Sequence, residues 1–144
     1  MRKPNCLVLF LALLGSSLPT QVSASIDDIL KHYQQVYMWE QVATSCKSKA
    51  PTELQEDWLF IEGILKFQDG YWGAKAIKQL EYAGKSLPQI KGIFASLKSS
   101  SDVLAEHLIS KALCDRKDRD IVHKEIAADP SYRSAVYVLT GQYP

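Results

Sequence analysis

The stretch "QEDWLFIEGILKFQDGYWGAK", residues 55–75, decides the fold. Five aromatic side chains, Trp58, Phe60, Phe67, Tyr71 and Trp72, fall in one short span beside Glu56, Asp57 and Glu62. On a helical wheel of about 100° per residue, Leu54, Trp58, Ile61 and Leu65 form one stripe; Phe60, Ile64, Phe67 and Tyr71 form another, about 110–120° away. A helix lying on a core surface needs one stripe, so two stripes predict neighbours on both sides and a central position in a bundle. Aromatic burial there is worth several kcal/mol in total. Asp57 projects between the stripes, where a carboxylate requires a partner, although proximity to a helix N-terminus offsets part of the cost.

Working outward, the other segments also read as helices. Ser25 caps a first helix with Asp27 and Asp28 in its first turn. Ile26, Leu30, Tyr33 and Tyr37 form one face of it, and Trp39, Val42, Ala43 and Cys46 a different one, so this helix is either contacted on two sides or bent near Met38. Pro51 stops it, and Thr52 with Gln55 offers a capping pair for the next. Asp69-Gly70 reads as a turn. Beyond it Gly73, Ala76, Ile77, Leu80, Ala83, Gly84 and Leu87 form a face of small and apolar residues. Pro88 opens a helix carrying Ile90, Ile93, Phe94 and Leu97. "KSSSD" at 98–102 reads as a loop, with Ser101 capping a helix that carries Leu104, Leu108, Ile109 and Ala112. "CDRKDRD" at 114–120 reads as a solvated turn before a brief helix with Ile121, Val122 and Ile126. Asp129-Pro130 breaks that helix, and Ser131 starts the last one, closed by Gly141. No convincing alternating strand pattern occurs. The expectation is an all-α, single-domain bundle of six or seven helices spanning residues 25–144.

Residues 1–24 read as a secretory signal peptide: the basic start Met1-Arg2-Lys3, the apolar run Leu7–Leu14, and the small-residue ending Val22-Ser23-Ala24. The apolar run is about half of the roughly 20 residues that a membrane span requires, so no integral membrane insertion is expected after cleavage. Of 17 basic residues Arg2 and Lys3 leave with this segment, and the remainder falls one short of the 16 acidic residues. Such a near-neutral chain is not steered toward nucleic acid or an anionic membrane. Periplasmic or secreted localisation follows.

Export also decides the cysteines. Cys6 leaves with the signal, and Cys46 and Cys114 remain as a pair in an oxidising compartment, where they are expected to be joined. Closing so long a loop removes roughly 4 kcal/mol of unfolded-state freedom in the chain-entropy model. Neither cysteine sits in a Cys-x-x-Cys redox spacing.

The sequence offers no catalytic motif. His32, His107 and His123 share no ligand spacing with one another or with the cysteines. There is no glycine-rich phosphate loop, Gly-x-Ser-x-Gly or His-Glu-x-x-His motif, so neither a metal nor another cofactor is expected. Paired acids can carry out hydrolysis when a cleft holds them, which leaves a small hydrolase using Asp57 and Glu62 as a remote alternative. The preferred contact patch for a partner protein is Tyr71, Trp72, Lys75 and Lys78, because a turn at Gly70 lifts them toward solvent and aromatics beside cations are typical anchors. Arg116, Lys117 and Arg119 in the charged turn are a second patch.

Two stretches carry family resemblances. Phe60, Phe67, Ala76, Leu80, Ala83 and Pro88 fall at spacings similar to a tetratricopeptide repeat, a helical hairpin of about 34 residues; the resemblance covers residues 57–90 and implies a structural adaptor. Across much of the chain, Cys46, "FIEGI" at 60–64, Cys114 and "DPSYRSAVYVL" at 129–139 resemble periplasmic immunity proteins that neutralise type VI secretion amidase effectors. That resemblance implies a small exported helical protein that plugs an effector's active-site cleft, with aromatic and charged anchors and no catalytic group of its own. An inhibitor or immunity protein acting on another protein, without a cofactor, is the favoured expectation.

Overall fold

The computed structural model describes residues 24–144. The basic start and apolar run on which the export reading rests lie outside the described residues. Among those residues are five α-helices and no strand: α1 (Ile26–Lys49), α2 (Thr52–Tyr82), α3 (Leu87–Lys111), α4 (Arg116–Ala127) and α5 (Tyr132–Thr140). The fold is all-α with one disulfide, Cys46–Cys114. Five helices replace the expected six or seven because two predicted breaks do not occur, as detailed below.

Ser25 caps α1 in a reciprocal capping box: its Oγ accepts from Asp28 N–H at 3.2 Å, and Asp28 Oδ2 accepts from Ser25 N–H at 3.3 Å. The helix runs unbroken through Met38. Its two faces are explained by two neighbours, α2 on one side and α3 on the other. Pro51 then ends it, and Ala50 lies in extended geometry before that proline. Thr52 makes no capping bond at the start of α2; Gln55 instead donates to Ala50 O at 3.1 Å.

α2 has 31 residues and is about 46 Å long. Asp69-Gly70 lies within it, so the expected turn there is absent. Gly70 keeps a negative φ and costs roughly 1 kcal/mol relative to alanine. Burial of Trp72, Gly73, Ala76 and Leu80 beyond it outweighs that cost. The true turn falls at 83–86, where Gly84 takes a left-handed φ of 78°, so residues 57–82 form one helix and the tetratricopeptide-like hairpin at 57–90 is not formed. The two stripes have the predicted consequence: α2 packs on α1 at one side and on α4 and α5 at the other. Its Trp58, Ile61, Ile64 and Leu65 form the centre of a core completed by Ile29, Tyr33, Val36, Val42, Val122, Ile126, Ala135 and Val136.

A capping box of Ser86 and Gln89, with Pro88 in the first turn, starts α3. Residues 98–102, expected as a loop, continue it. Ser100 donates back to Ser96 O at 3.0 Å, and Ser101, fully buried, donates to Leu97 O at 2.8 Å and to Gln34 O of α1 at 3.3 Å. Helical serines that bond backward in this way satisfy their hydroxyls without breaking the helix. Arg116–Asp120, expected as a solvated turn, are the first turn and a half of α4. Gly141 ends α5 with a left-handed φ of 71°, as expected of a terminal glycine.

Candidate partner-contact surface on α4

The start of α4 is held by several independent constraints. Cys114 has a φ of 53°, a left-handed conformation that costs a non-glycine residue roughly 1–2 kcal/mol. The disulfide ties this residue to α1. Trp58 Nε1, buried in α2, donates to Cys114 O at 3.1 Å. Asp118 Oδ2 accepts from Leu113 N–H at 2.8 Å and Cys114 N–H at 2.9 Å, while Asp115 caps the helix by accepting from Asp118 N–H at 3.0 Å. The charged run 114–120 is therefore built in part from acids committed to backbone amides.

Toward α2, α4 borders a cleft of about 300 Å³ lined by Asp57, Phe60, Ile61, Arg119, Asp120 and His123. Arg119 bridges the two acids: Nη1 donates to Asp57 Oδ2, and Nη2 to Asp120 Oδ1 at 2.7 Å. Asp57 therefore has a counter-charge, but its side chain is 48 % exposed, so burial does not require one. Toward α1 and α3, α4 borders a second, mainly apolar slot of about 270 Å³ lined by Trp39, Val42, Leu108, Ala112, Ile121 and Val122, with Lys111 and Asp118 among its walls. Trp39 Nε1 is buried and has no acceptor among the described residues. Ile121 is shared with a shallow basin on the outer side of α4, where Arg116, Lys117, Asp120 and Lys124 surround it. Leu113, beside these cations in sequence, is 77 % exposed.

The other predicted patch divides. Because α2 continues through Gly70, Trp72 is not lifted outward; it is 8 % exposed, and its Nε1 donates to Asp129 Oδ2 at 2.8 Å. Tyr71, 42 % exposed, meets Trp72 edge-on at 5.3 Å. Lys75 lies over the Trp72 ring at 4.8 Å and Lys78 over Tyr82 at 5.8 Å, both on the outside of α2. Asp57 and Glu62 are not brought together. Five positions apart on one helix, they project about 140° from each other, and Glu62 turns inward to α1. There its carboxylate accepts from Lys47 at 2.9 Å through both oxygens, from Thr44 at 2.9 Å, and from Lys66 at 3.1 Å. Burial alone would raise the Glu62 carboxyl, but these donors outweigh it and hold it below the ordinary range.

One polar centre had no counterpart in the sequence reading. Asp129, just after α4, accepts from Ser131 N–H and Oγ at 2.8 and 2.6 Å through Oδ1, and from Trp72 through Oδ2, which also lies 2.6 Å from His32 Nε2. Burial opposes its ionisation, yet His32, Ser131 and Trp72 prevail and depress it to about 2. It locks α1, α2 and the start of α5 together. Asp69, at the α1–α2–α3 seam, is the opposite case: burial raises its carboxyl despite Lys98 and Tyr33, and Oδ1 is buried without a partner among the described residues. Burial and Asp69 likewise raise the Tyr33 phenol and the Glu40 carboxyl.

Among the described residues no group of three or more His, Cys, Asp or Glu is placed to hold a metal ion, and no helix is long and apolar enough to cross a membrane. Comparison with known protein families, curated proteins and solved structures finds no match to this chain.

Proposed function

We propose that this chain is an exported, disulfide-stapled protein-binding module that neutralises another protein by covering its surface, in the manner of an inhibitor or immunity protein. The observation that carries this reading is the α4 platform. A half-exposed isoleucine, Ile121, stands at an apolar slot, next to a cleft where Arg119, Asp57, His123 and Phe60 converge, and Leu113 just before α4 is exposed. Interfaces draw their energy from apolar anchors entering preformed pockets inside a polar rim. Fixing that platform through the disulfide, Trp58 and Asp118 lowers the ordering cost of binding. The disulfide supports an oxidising compartment. Arg116, Lys117 and Arg119 are the contact residues proposed on α4; Tyr71, Lys75 and Lys78 form a second surface, with Trp72 as its buried support.

The immunity reading predicts an amidase-type effector gene beside this one, and the test is co-expression of the chain with that gene's product in a bacterial periplasm. Restored growth and a stable complex on gel filtration are the expected results. Unrelieved killing with no complex, while the exported chain is folded and abundant, would overturn the reading.

A further inference from the structure

Resting on that reading, we infer that the α4 platform docks a short acidic segment of the partner, which inserts one apolar side chain into the slot beside Ile121 and lays its carboxylates along Lys111, Arg116, Lys117 and Lys124. Three observations converge on this occupant.

The first is charge accounting. No ion pair among the described residues reaches Lys111, Arg116, Lys117 or Lys124. Of the acids at the start of α4, Asp115 and Asp118 face backbone amides and Asp120 is taken by Arg119, while Glu125, next to Lys124 in sequence, borders a separate pocket with His32 and Gln35. The second is a broken local rule. Arg116 and Lys117 occupy the first turn of α4, at the positive end of its dipole, where stability alone favours acids by roughly 0.3–1 kcal/mol each. Sequence choices that oppose local stability are expected where a surface serves another purpose. The third is shape. A slot of about 270 Å³ accommodates one large apolar side chain; for scale, an apolar cavity of about 150 Å³ admits benzene.

The layout selects a short acidic peptide over other anions. Arg116 and Lys124 are separated by about 12 Å along the helix, more than a single carboxylate can bridge, so the ligand must carry several charges. Residues 25–144 are close to neutral in sum, and beyond a Debye length of about 8–10 Å they give no net pull toward a membrane or a nucleic acid. A short segment interacts with the local patch alone. The slot is concave, which suits an inserted side chain better than a flat bilayer.

The experiment uses the disulfide-bonded chain and a fluorescein-labelled peptide in which Glu and Asp flank a central Leu, followed by anisotropy at low and high salt. Saturable, salt-weakened binding is expected. Lys117→Glu/Lys124→Glu, both at exposed positions, should weaken it about tenfold, and Ile121→Ser should weaken it by a similar factor, with circular dichroism confirming that each variant folds. Three results would overturn the inference: no binding, equal binding of a peptide with Lys flanks, or no effect of the double variant. Pelleting with phosphatidylglycerol vesicles in place of peptide binding would also overturn it, in favour of a lipid ligand. The toxin complex separates the two levels. If it forms with wild-type affinity in the double variant, this inference fails alone; if it never forms with any variant, the protein-binding reading fails.

Discussion

Asp129 joins α1, α2 and the start of α5 through one buried carboxylate. Its folded ionisation near 2 lies below the ordinary value of 3.8, so its ionised form stabilises the fold. That contribution, about 2 kcal/mol, is complete above the unfolded value and is lost as pH falls through about 2. Asp129→Asn should therefore lower stability at neutral pH by about 2 kcal/mol and flatten the acid limb of a denaturation-versus-pH curve between about pH 4 and pH 2. Asp69 has the reverse sign. Its carboxyl is raised, so the unfolded chain loses the proton more readily and the ionised side chain opposes folding at neutral pH. Asp69→Asn should raise the melting temperature at pH 7, with the advantage fading toward about pH 3, where both states bind the proton. Neither role could be read from the chain. The groups around Asp129 come from positions up to 97 residues away, and the Asp-Pro pair was legible only as a helix breaker. The wheel position of Asp57 predicts a counter-charge; Arg119 lies against it from 62 residues downstream, although Asp57 is exposed and burial does not demand the pair.

Helix periodicity was legible where burial produced it, but turn-forming residues set inside a continuous apolar face were misread as breaks. Both stripes of α2, the Ser25 cap, Pro51, Pro88 and Gly141 were visible because their causes are local. Asp69-Gly70 and the serines at 99–101 carry turn-forming chemistry, but apolar residues on both sides of each site pack on the same neighbours, and an unbroken helix keeps them in register. The glycine offers a direct check. A turn with positive φ at Gly70 would make alanine costly, whereas a helical Gly70 with open space around its Cβ position makes Gly70→Ala stabilising, by roughly 0.5–1 kcal/mol in chemical denaturation. Loss of stability on that substitution would show that α2 is interrupted. On α4 the cations Arg116, Lys117 and Arg119 stand out by charge in the sequence, whereas the adjoining slot is assembled from α1, α3 and α4 and leaves no trace in any one segment.

Across the whole molecule, the expected pairing of Cys46 with Cys114 is the link that organises the bundle. Both sulfurs are buried, and the bond joins the end of α1 to the turn that positions α4. Cys46→Ser/Cys114→Ser should cost roughly 4 kcal/mol of stability in urea unfolding. Amide exchange should speed up most at Leu113 and Cys114, whose N–H groups depend on the turn geometry that the bond helps to hold.

Pulled from its two ends, such a molecule would yield less than its length suggests. Cys46 and Cys114 stand 68 positions apart, and tension entering at one sulfur leaves at the other. The polypeptide between them is spared, which withholds about 240 Å of extension at roughly 3.5 Å per residue. In an optical trap the oxidised chain should rupture to a short contour, and a reductant should release the hidden remainder in a single added step.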